Sequence, residues 1–373
     1  MLKIVIFVFI VSIQVCASIQ ANSNGLIKLG MSNALTGPAH QLGGKLSTGA
    51  LVYFEKLNLN GGINGQKVEL ISLDDGYEPS NTYDNTLHFI NEEKVLALFG
   101  YVGTPTSHAI LPIISKYNIP YLMPFTGADF LRTPVVKNIF NLRASYFEEA
   151  KAQIKYLVEI KGFKNIALVI QADQFGLAGQ RSFTKILQQY GLKPIISERY
   201  KRNSIDIINV LSRLKSKPID AVIFVGTYQP FSYLINLGYE EGFRPFFGSL
   251  SFVSSKDVFP KLKYPSKVII SEVMPNLEQC QWEVCYQFKK DMNDAGHLDL
   301  DRLQLEGYLN AHIFSLVAKQ CGENLTRECL MKKFEIFDHQ NSGLNISFSS
   351  SNHQGLNQVY LSFSDAVIPE KSP

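Results

Sequence analysis

The chain has 373 residues, of which 46% are hydrophobic and 18% are charged, so it is long enough for two cores of about 150 residues each. Its formal net charge is only +3 and it contains no long basic block, which argues against nucleic acid as a partner.

The N-terminus has the pattern of a secretory signal peptide. Lys3 precedes an apolar run, residues 4–13, that is too short to span a bilayer comfortably, and small residues follow it. We therefore predict that residues 1–21 are removed and that the mature protein is soluble and lies outside the cytoplasm. An uncleaved anchor or a lipid on Cys16 is the alternative.

From Leu26 onward, short apolar runs alternate with amphipathic stretches, and each unit reads as a strand followed by a helix. This alternation predicts a parallel sheet that helices cover on both faces. The predicted strands of the first unit are 26–30, 67–73, 95–99 and 120–123, and its predicted helices are 46–57, 79–90 and 104–117.

The pattern then restarts in a second unit of similar size. The fold class is therefore predicted as α/β, with two doubly wound parallel-sheet lobes joined by a hinge of several crossovers. The second unit has predicted helices at 148–160, 175–190, 205–214 and 228–237 and predicted strands at 165–170, 194–198, 220–225, 246–250 and 267–271.

The last hundred residues are mainly helical, with helices predicted at 281–293, 303–319 and 326–337 and short strands at 344–348 and 358–363. They are too few and too helical for a third sheet domain, so we expect the chain to cross back and complete both lobes. The predicted N-terminal lobe is 22–143 plus 276–350, and the predicted C-terminal lobe is 144–275 plus 351–373.

Four cysteines remain beyond the signal sequence, and in an exported chain they suggest disulfides. Pairing Cys280 with Cys285 and Cys321 with Cys329 requires the least chain reorganisation. The sequence allows three connectivities, and four reduced thiols are the alternative. Zinc is disfavoured because neither pair has the short ligand spacing of a zinc site.

Gly100 to Ser107 is the most informative local segment, because it follows a strand and opens a helix. Thr104 suits the N-cap and Pro105 the first helical position. Free backbone N–H groups, with the hydroxyls of Thr104 and Thr106, could bind a carboxylate. A helix cap without a ligand is the alternative.

Three further loops follow strands and are expected at the same rim, where ligands bind in such sheets. Thr126 and Gly127 lie in the first, and Gly127 would let a backbone N–H approach a ligand closely. Phe175 and Tyr228, from the second unit, could supply apolar walls, although packing is the commoner role of a single aromatic residue.

Enzyme signatures are missing from the sequence. The segment Gly43-Gly44-Lys45 is followed by Leu46 where a phosphate loop needs Ser or Thr, and no dinucleotide fingerprint or nucleophile elbow occurs. Asp74 and Asp75 have no evident third metal ligand and are interpreted as solvated loop or hinge carboxylates. We predict a protein that is not an enzyme and needs no cofactor.

An ordered set of motifs resembles the branched-chain amino-acid (Leu/Ile/Val) binding-protein family of ABC transporters, whose members have the type I periplasmic-binding-protein fold. The resemblance covers nearly all of the mature chain. The motifs are Ile27-Lys28-Leu29-Gly30, Leu35-Thr36-Gly37-Pro38, Asn60-Gly61-Gly62-Ile63-Asn64-Gly65, Asp74-Asp75, Gly103-Thr104-Pro105-Thr106, Thr126-Gly127-Ala128, Leu131-Arg132, Arg143-Ala144-Ser145-Tyr146 and Leu305-Glu306-Gly307-Tyr308.

The resemblance implies that Thr104, Thr126 and Gly127 bind a ligand carboxylate. It also implies that Phe175 and Tyr228 line the cleft from the second lobe, with Tyr146 near the crossover as a further candidate.

One position departs from the family pattern. Amino-acid binders place an acidic residue beside the ligand ammonium where this chain has Leu250. A buried ammonium without a counter-charge is costly, so a carboxylate lacking the amine, an amide or another polar metabolite is expected at least as much as a branched-chain amino acid.

The resemblance implies a periplasmic solute-binding protein that closes around a small molecule and docks on a membrane permease, as a monomer or a weak dimer. A periplasmic sensor that reports a ligand to a signalling partner is the main alternative. An exported enzyme is a third, and it would need a nucleophile–base pair or a metal cluster in the cleft.

Overall fold

The computed structural model describes residues 25–341 and 343–365, so the predicted signal peptide lies outside the described residues. Within these ranges the chain folds as an α/β protein with two parallel-stranded sheets in two lobes, which confirms the predicted fold class. No helix in the described ranges is long and apolar enough to cross a membrane.

The first sheet has five parallel strands in the order β2-β1-β3-β4-β5. The chain forms it by repeating strand and helix, as the apolar pattern predicts. In chain order the elements are β1 (Leu26–Asn33), α1 (His40–Leu59), β2 (Lys67–Asp74), α2 (Pro79–Asn91), β3 (Ala97–Phe99), α3 (Thr104–Ala109), α4 (Leu111–Tyr117), β4 (Tyr121–Leu122) and β5 (Ile139–Phe140).

The second sheet has six strands in the order β13-β10-β9-β8-β6-β7, and only β13, on its edge, runs antiparallel. Every residue of β6 and β8 is buried, because helices cover both faces of the central strands. The elements are α5 (Tyr146–Lys155), β6 (Ile166–Gln171), α6 (Gln174–Gln189), β7 (Ser197–Tyr200), α7 (Ile208–Lys215), β8 (Ala221–Val225), α8 (Tyr228–Glu240), β9 (Phe246–Ser249), α9 (Ser255–Val258) and β10 (Val268–Glu272).

After β10 the chain returns to the first sheet and packs three helices and a hairpin against it. Phe288 and Phe314 from this segment share one hydrophobic core with Leu29, Phe54 and Phe99. Its elements are α10 (Glu283–Asp294), α11 (Arg302–Lys319), α12 (Arg327–Glu335), β11 (Asp338–Asn341) and β12 (Leu344–Ser347), and β13 (Tyr360–Phe363) then joins the second sheet.

Two of the connections between the sheets run side by side. Asn141, just after β5, donates its backbone N–H to the carbonyl of His353 (2.9 Å), and Gly355 donates back to Asn141 (2.9 Å). Leu356 donates to Leu142 in the same way, at 2.8 Å. These backbone hydrogen bonds therefore hold the two crossover segments together between the sheets.

The structure differs from the sequence predictions at a few elements. The single helix predicted at 104–117 breaks at Ile110, because Pro112 lacks an N–H and its ring would clash with the carbonyl of His108 in a continuous helix. The strand predicted at 194–198 lies later, at Ser197–Tyr200. Strands β5 and β11 were not predicted, since one has two residues and the other is polar.

Both locally paired disulfides, Cys280–Cys285 and Cys321–Cys329, are present in the structure. The first precedes and enters α10, and the second joins the end of α11 to α12. Each disulfide therefore restrains a short connection in the segment that returns to the first sheet after β10.

Candidate functional site

Loops from both sheets meet where the carboxyl ends of their parallel strands face each other. The loops after β3 and β4 come from the first sheet, and those after β6 and β9 come from the second. A direct ring contact joins loops of the two sheets, since the ring centroids of Phe125 and Phe252 are 5.7 Å apart. The interlobe cleft is thus closed over these side chains.

Three hydroxyl groups form a buried cluster at this boundary. Thr104 Oγ1 lies 2.8 Å from Thr126 Oγ1 and 3.1 Å from the hydroxyl of Tyr146, and Thr126 Oγ1 lies 3.3 Å from that same hydroxyl. All three residues are completely buried. Burial raises the pKa of Tyr146, so its phenol stays protonated and able to donate. We call these three groups the hydroxyl cluster.

Gly127 lets the hydroxyl cluster form. A Cβ at this position would lie 2.5 Å from Tyr146 Cδ1 and 2.5 Å from the backbone nitrogen of Tyr146. The carbonyl of Gly127 accepts that N–H at 2.8 Å, at the first residue of α5. Any larger residue would push Tyr146 away from the two threonines.

Thr106 is buried, but its hydroxyl is used locally. It donates to the carbonyl oxygens of Val102 (2.6 Å) and Gly103 (2.9 Å), in the first turn of α3. The structure therefore places the Thr106 hydroxyl on the backbone rather than in the hydroxyl cluster.

Tyr228 also lies apart from the cluster. Its ring belongs to the core on the other face of the second sheet, together with Tyr200, Phe224 and Phe231. Its hydroxyl accepts a hydrogen bond from Gln229 Nε2 (3.3 Å), and Lys261 lies over the ring. In this closed arrangement Tyr228 packs within its own lobe.

Beside the hydroxyl cluster, four rings form what we call the aromatic cage: Tyr77, Phe125, Phe175 and Phe252. Phe252 is central, with its ring centroid 4.6 Å from Phe175 and 5.7 Å from both Tyr77 and Phe125. All four rings are buried. Of these four rings, the sequence analysis identified Phe175 and missed Tyr77, Phe125 and Phe252.

Tyr77 is held in an unusual backbone conformation, with φ +64°, a region that non-glycine residues seldom adopt. Asp75 fixes it, because Asp75 Oδ1 accepts the N–H of Tyr77 at 2.8 Å and Asp75 Oδ2 accepts from Ser32 and Thr82. The ring packs on Gly103, where a Cβ would lie 2.4 Å from Tyr77 Cε2. Its position just after the carboxyl end of β2 was the available sequence signal.

These contacts correct the interpretation of the acidic pair. Asp74 is exposed and binds the backbone N–H groups of Leu35, Thr36 and Gly76, whereas Asp75 is completely buried. The Asp75 carboxylate therefore positions Tyr77 and is not solvated.

Leu250 is completely buried next to this site, where the acidic residue of the family pattern would stand. The structure brings an acidic residue from elsewhere to the same loop, since Glu149 of α5 accepts hydrogen bonds from the N–H of Ser251 (2.7 Å), its hydroxyl (3.0 Å) and the hydroxyl of Ser271 (2.6 Å). With three donors already bound, Glu149 has little capacity left for a ligand ammonium.

A buried guanidinium adjoins the cage. Arg143 lies 3.9 Å over the ring of Phe125 and donates through Nη2 to Ser251 Oγ at 2.6 Å. Its Nε is 3.4 Å from Glu306 Oε1. Burial raises the pKa of Glu306 to about 7; the charge of Arg143 opposes this rise, and the charges of Glu149 and Glu272 add to it.

Two ion-pair clusters, which we call the clasps of Arg202 and Lys45, connect the lobes on either side of the cleft. Arg202, after β7, binds Glu78 (2.8 Å) and the carbonyl of Tyr77 from the first lobe, and also Asp173 (3.1 Å) of its own lobe. Lys45 of α1 binds Asp257 of α9 at 2.7 Å and Asp301 at 2.8 Å.

Within residues 25–341 and 343–365, no group of three or more His, Cys, Asp or Glu side chains is placed to hold a metal ion. Hydroxyl donors at one end and aromatic walls at the other suit a small ligand with one polar end.

Sequence and structure comparisons relate the chain to known proteins. Residues 26–363 match the sequence model of a family described as periplasmic binding protein. A leucine-, isoleucine-, valine-, threonine- and alanine-binding protein from Pseudomonas aeruginosa is 23% identical over 216 residues, which cover 58% of each chain. The chain thus spans somewhat more than half the length of such relatives.

Among solved structures, a possible leucine/isoleucine/valine-binding protein from Rhodopirellula baltica has a TM-score of 0.86 and 30% identity, covering 91% of this chain and 94% of that one. A branched-chain amino acid ABC transporter protein from Thermus thermophilus with bound valine has a TM-score of 0.80 at 17% identity, covering 91% and 93% of the two chains. At 17% identity, the similarity to the Thermus thermophilus protein shows the fold alone.

Proposed function

Since the chain belongs to the periplasmic binding protein family, we propose that it captures a small polar solute between its lobes and delivers it to the membrane permease of an ABC transporter. The solute is an amino acid, a carboxylate or an amide. The hydroxyl cluster of Thr104, Thr126 and Tyr146 carries this proposal, because it places three polar hydroxyl groups in a buried interlobe site.

The proposed ligand replaces the hydrogen bonds that these hydroxyls make with one another. A carboxylate or amide oxygen accepts from the hydroxyls of Thr104 and Thr126. Because the site is shielded from water, each such hydrogen bond is stronger than the same bond at the surface.

Capture proceeds by hinge closure in this proposal. The lobes are residues 22–143 plus 276–350 and residues 144–275 plus 351–373, and they rotate about the paired crossover segments near Asn141 and His353. The clasps of Arg202 and Lys45 break when the cleft opens and re-form when it closes on the solute. The protein acts in the periplasm after residues 1–21 are removed.

A thermal-shift screen of the purified mature protein tests the proposal, with amino acids, carboxylates and amides as the solute classes. A solute that binds the folded state raises the melting temperature by mass action. Thr104→Val should lower affinity about tenfold by removing a hydroxyl hydrogen bond to a charged group. Thr48→Val, which removes a hydroxyl bonded to the carbonyl of Gly44 on α1, is the matched control.

A clear shift with one class, abolished by Thr104→Val and kept by Thr48→Val, supports solute capture in the cleft. If no solute in any class shifts the melting temperature, the transport role loses its basis and a protein partner becomes the object of search.

A further inference from the structure

Phe252 fills the centre of the aromatic cage from a less regular segment than its neighbours. It lies on a single turn of 3-10 helix, Ser251–Val253, between β9 and α9. The next residue, Ser254, has φ +56°, a strained conformation for a non-glycine residue. Phe175 belongs to the sixteen-residue helix α6, and Phe125 is fixed by backbone bonds to Tyr101 and Gly103. Phe252 is therefore the cage ring on the shortest helical element. Because Glu149 and Arg143 hold the neighbouring Ser251, displacement of Phe252 requires its side chain to turn away from the cage while the backbone stays in place.

The space that Phe252 occupies is shaped by rings on both lobes. Tyr77 and Phe125 come from the first lobe and Phe175 from the second, each with its ring centroid 4.6–5.7 Å from that of Phe252. These separations and the tilted ring planes are the arrangement in which aromatic rings attract one another. A flat aromatic body in place of Phe252 would recover these contacts, whereas an aliphatic body would recover only the apolar area.

Polar groups at the edge of the cage favour an acceptor over a cation. The hydroxyl of Tyr77 is completely buried and has no hydrogen-bond partner among the described residues. Tyr146 joins the cage to the hydroxyl cluster, because its ring contacts Phe175 and its hydroxyl contacts Thr104.

Two carboxylates near the cage, Glu149 and Asp173, are already engaged. Glu149 accepts from Ser251 and Ser271, and Asp173 Oδ1 accepts the N–H groups of Phe175 and Gly176 while Oδ2 pairs with Arg202. Guanidinium groups lie over two cage rings, Arg143 over Phe125 at 3.9 Å and Arg202 over Tyr77 at 4.9 Å. Glu149 and Asp173 would thus offer a ligand ammonium no free counter-charge, and two guanidinium groups would lie beside it. Glu306 is paired with Arg143 through Oε1, and its Oε2 has no hydrogen-bond partner among the described residues.

We propose that the solute is an aromatic carboxylate without an amine, whose ring takes the place of Phe252 in the aromatic cage while its carboxylate binds the hydroxyl cluster. This inference rests on the proposed function, since it names the solute class of the same cleft. Phe252 then acts as an internal occupant that keeps the cage filled until a ring-bearing solute enters.

Isothermal titration with four probes tests the inference on the full mature protein. Benzoate has the ring and the carboxylate, and L-phenylalanine has both with an amine on a longer chain. 4-Methylpentanoate replaces the ring by an aliphatic body, and L-leucine is 4-methylpentanoate with an added amine. Benzoate should bind at least about fivefold more tightly than 4-methylpentanoate, in keeping with the value of ring–ring contacts. L-Leucine should bind more weakly than 4-methylpentanoate, which differs from it only in lacking the amine, and L-phenylalanine should bind more weakly than benzoate.

Phe252→Ala provides the second measurement. Removal of the internal occupant should tighten benzoate binding about fivefold or more, because the ligand no longer displaces a packed ring. Phe243→Ala, which removes a half-buried ring from the other face of the second sheet, controls for a general loss of stability and should leave benzoate affinity unchanged. Weaker binding to the Phe252→Ala variant would show Phe252 to be a fixed wall and would overturn the displacement.

The ranking of probes by the wild-type protein decides the solute class even if the Phe252→Ala variant fails to fold. Tighter binding of leucine or 4-methylpentanoate than of benzoate overturns the inference and leaves solute capture standing. If none of the four probes binds, the inference is overturned as well. The wider solute screen then decides separately whether the cleft captures any small molecule.

Discussion

Arg143 donates a 2.6 Å hydrogen bond to the hydroxyl of Ser251, and this bond joins the first crossover segment to a loop of the second sheet. The same guanidinium lies over Phe125 and beside Glu306 of α11, which belongs to the first lobe. Arg143 and Glu306 are both nearly inaccessible to solvent, so their ion pair lies inside the first lobe, and the Arg143–Ser251 bond is the contact that links the two lobes.

Replacing Arg143 should destabilise the protein strongly. In Arg143→Met the carboxylates of Glu149 and Glu306 lose their buried counter-charge, and breaking a buried pair in this way costs about 3–5 kcal/mol. Urea unfolding of the mature protein measures the change. Arg213→Met is the control, because Arg213 is half exposed and its pair with Glu198 is worth about 1 kcal/mol or less. Equal effects of the two substitutions would contradict a special role for Arg143.

The stability contributed by Glu306 should fall as the pH rises. Its pKa in the folded protein is about 7, above the ordinary value of 4.5, so the folded state holds the proton more tightly. That contribution is fully present below pH 4.5 and is lost as the pH rises to about 7. The free energy of unfolding should decrease by up to about 1.4 kcal/mol per pH unit in this window.

Glu306→Gln isolates this effect, because it keeps an oxygen beside Arg143 but cannot ionise. Burial lowers the pKa of His312 to about 4, so His312 makes the free energy of unfolding rise with pH between pH 4 and 6.5. The quantity to measure is therefore the pH slope of the unfolding free energy of the wild type minus that of the variant. The free energies of unfolding of the wild type and of Glu306→Gln are measured at pH 5 and at pH 7.5. Parallel slopes for the wild type and Glu306→Gln would refute the assignment, and Glu278→Gln, at an exposed carboxylate, is the control.

The contact between α1 and α11 depends on glycines that let the backbones approach. A Cβ at Gly307 would lie 1.9 Å from the carbonyl oxygen of Leu46, so Gly307→Ala should force the helices apart and cost about 1–3 kcal/mol. Gly44→Ala on α1 has open space within 4 Å and should instead stabilise by about 0.5–1 kcal/mol, as alanine does in a helix. In denaturant unfolding, the free energy of unfolding should fall for Gly307→Ala and rise for Gly44→Ala.

Arg202 should favour the closed form of the cleft. Arg202→Ala removes the pair with Glu78 and the bond to the Tyr77 carbonyl, and a partly buried charged hydrogen bond of this kind corresponds to about a tenfold loss of ligand affinity. Small-angle scattering of the unliganded variant should give a larger radius of gyration. Arg199→Ala, at an exposed arginine of β7, should change neither quantity. An unchanged affinity for Arg202→Ala would remove the clasp from the mechanism.

The sequence by itself determined the architecture and part of the site. Apolar runs such as those of β6 and β8 fix buried parallel strands, because only strands covered on both faces lack polar alternation. The same rule predicts Thr104 and Thr126 at one rim, and their hydroxyl oxygens lie 2.8 Å apart in the structure. The short cysteine spacings likewise favoured the two disulfides that the structure contains.

Only the tertiary structure decided which distant side chains share the cleft. Glu149 and Ser251 are 102 residues apart, and Tyr77 meets Phe252 across the lobe boundary. Tyr228, expected at the cleft, packs into the core of its own lobe, and the Thr106 hydroxyl turns to its own backbone. Local periodicity records which face of a strand or helix is buried, but the partner of each buried group depends on how the sheets are placed against each other. That placement is set by the packing of the whole chain.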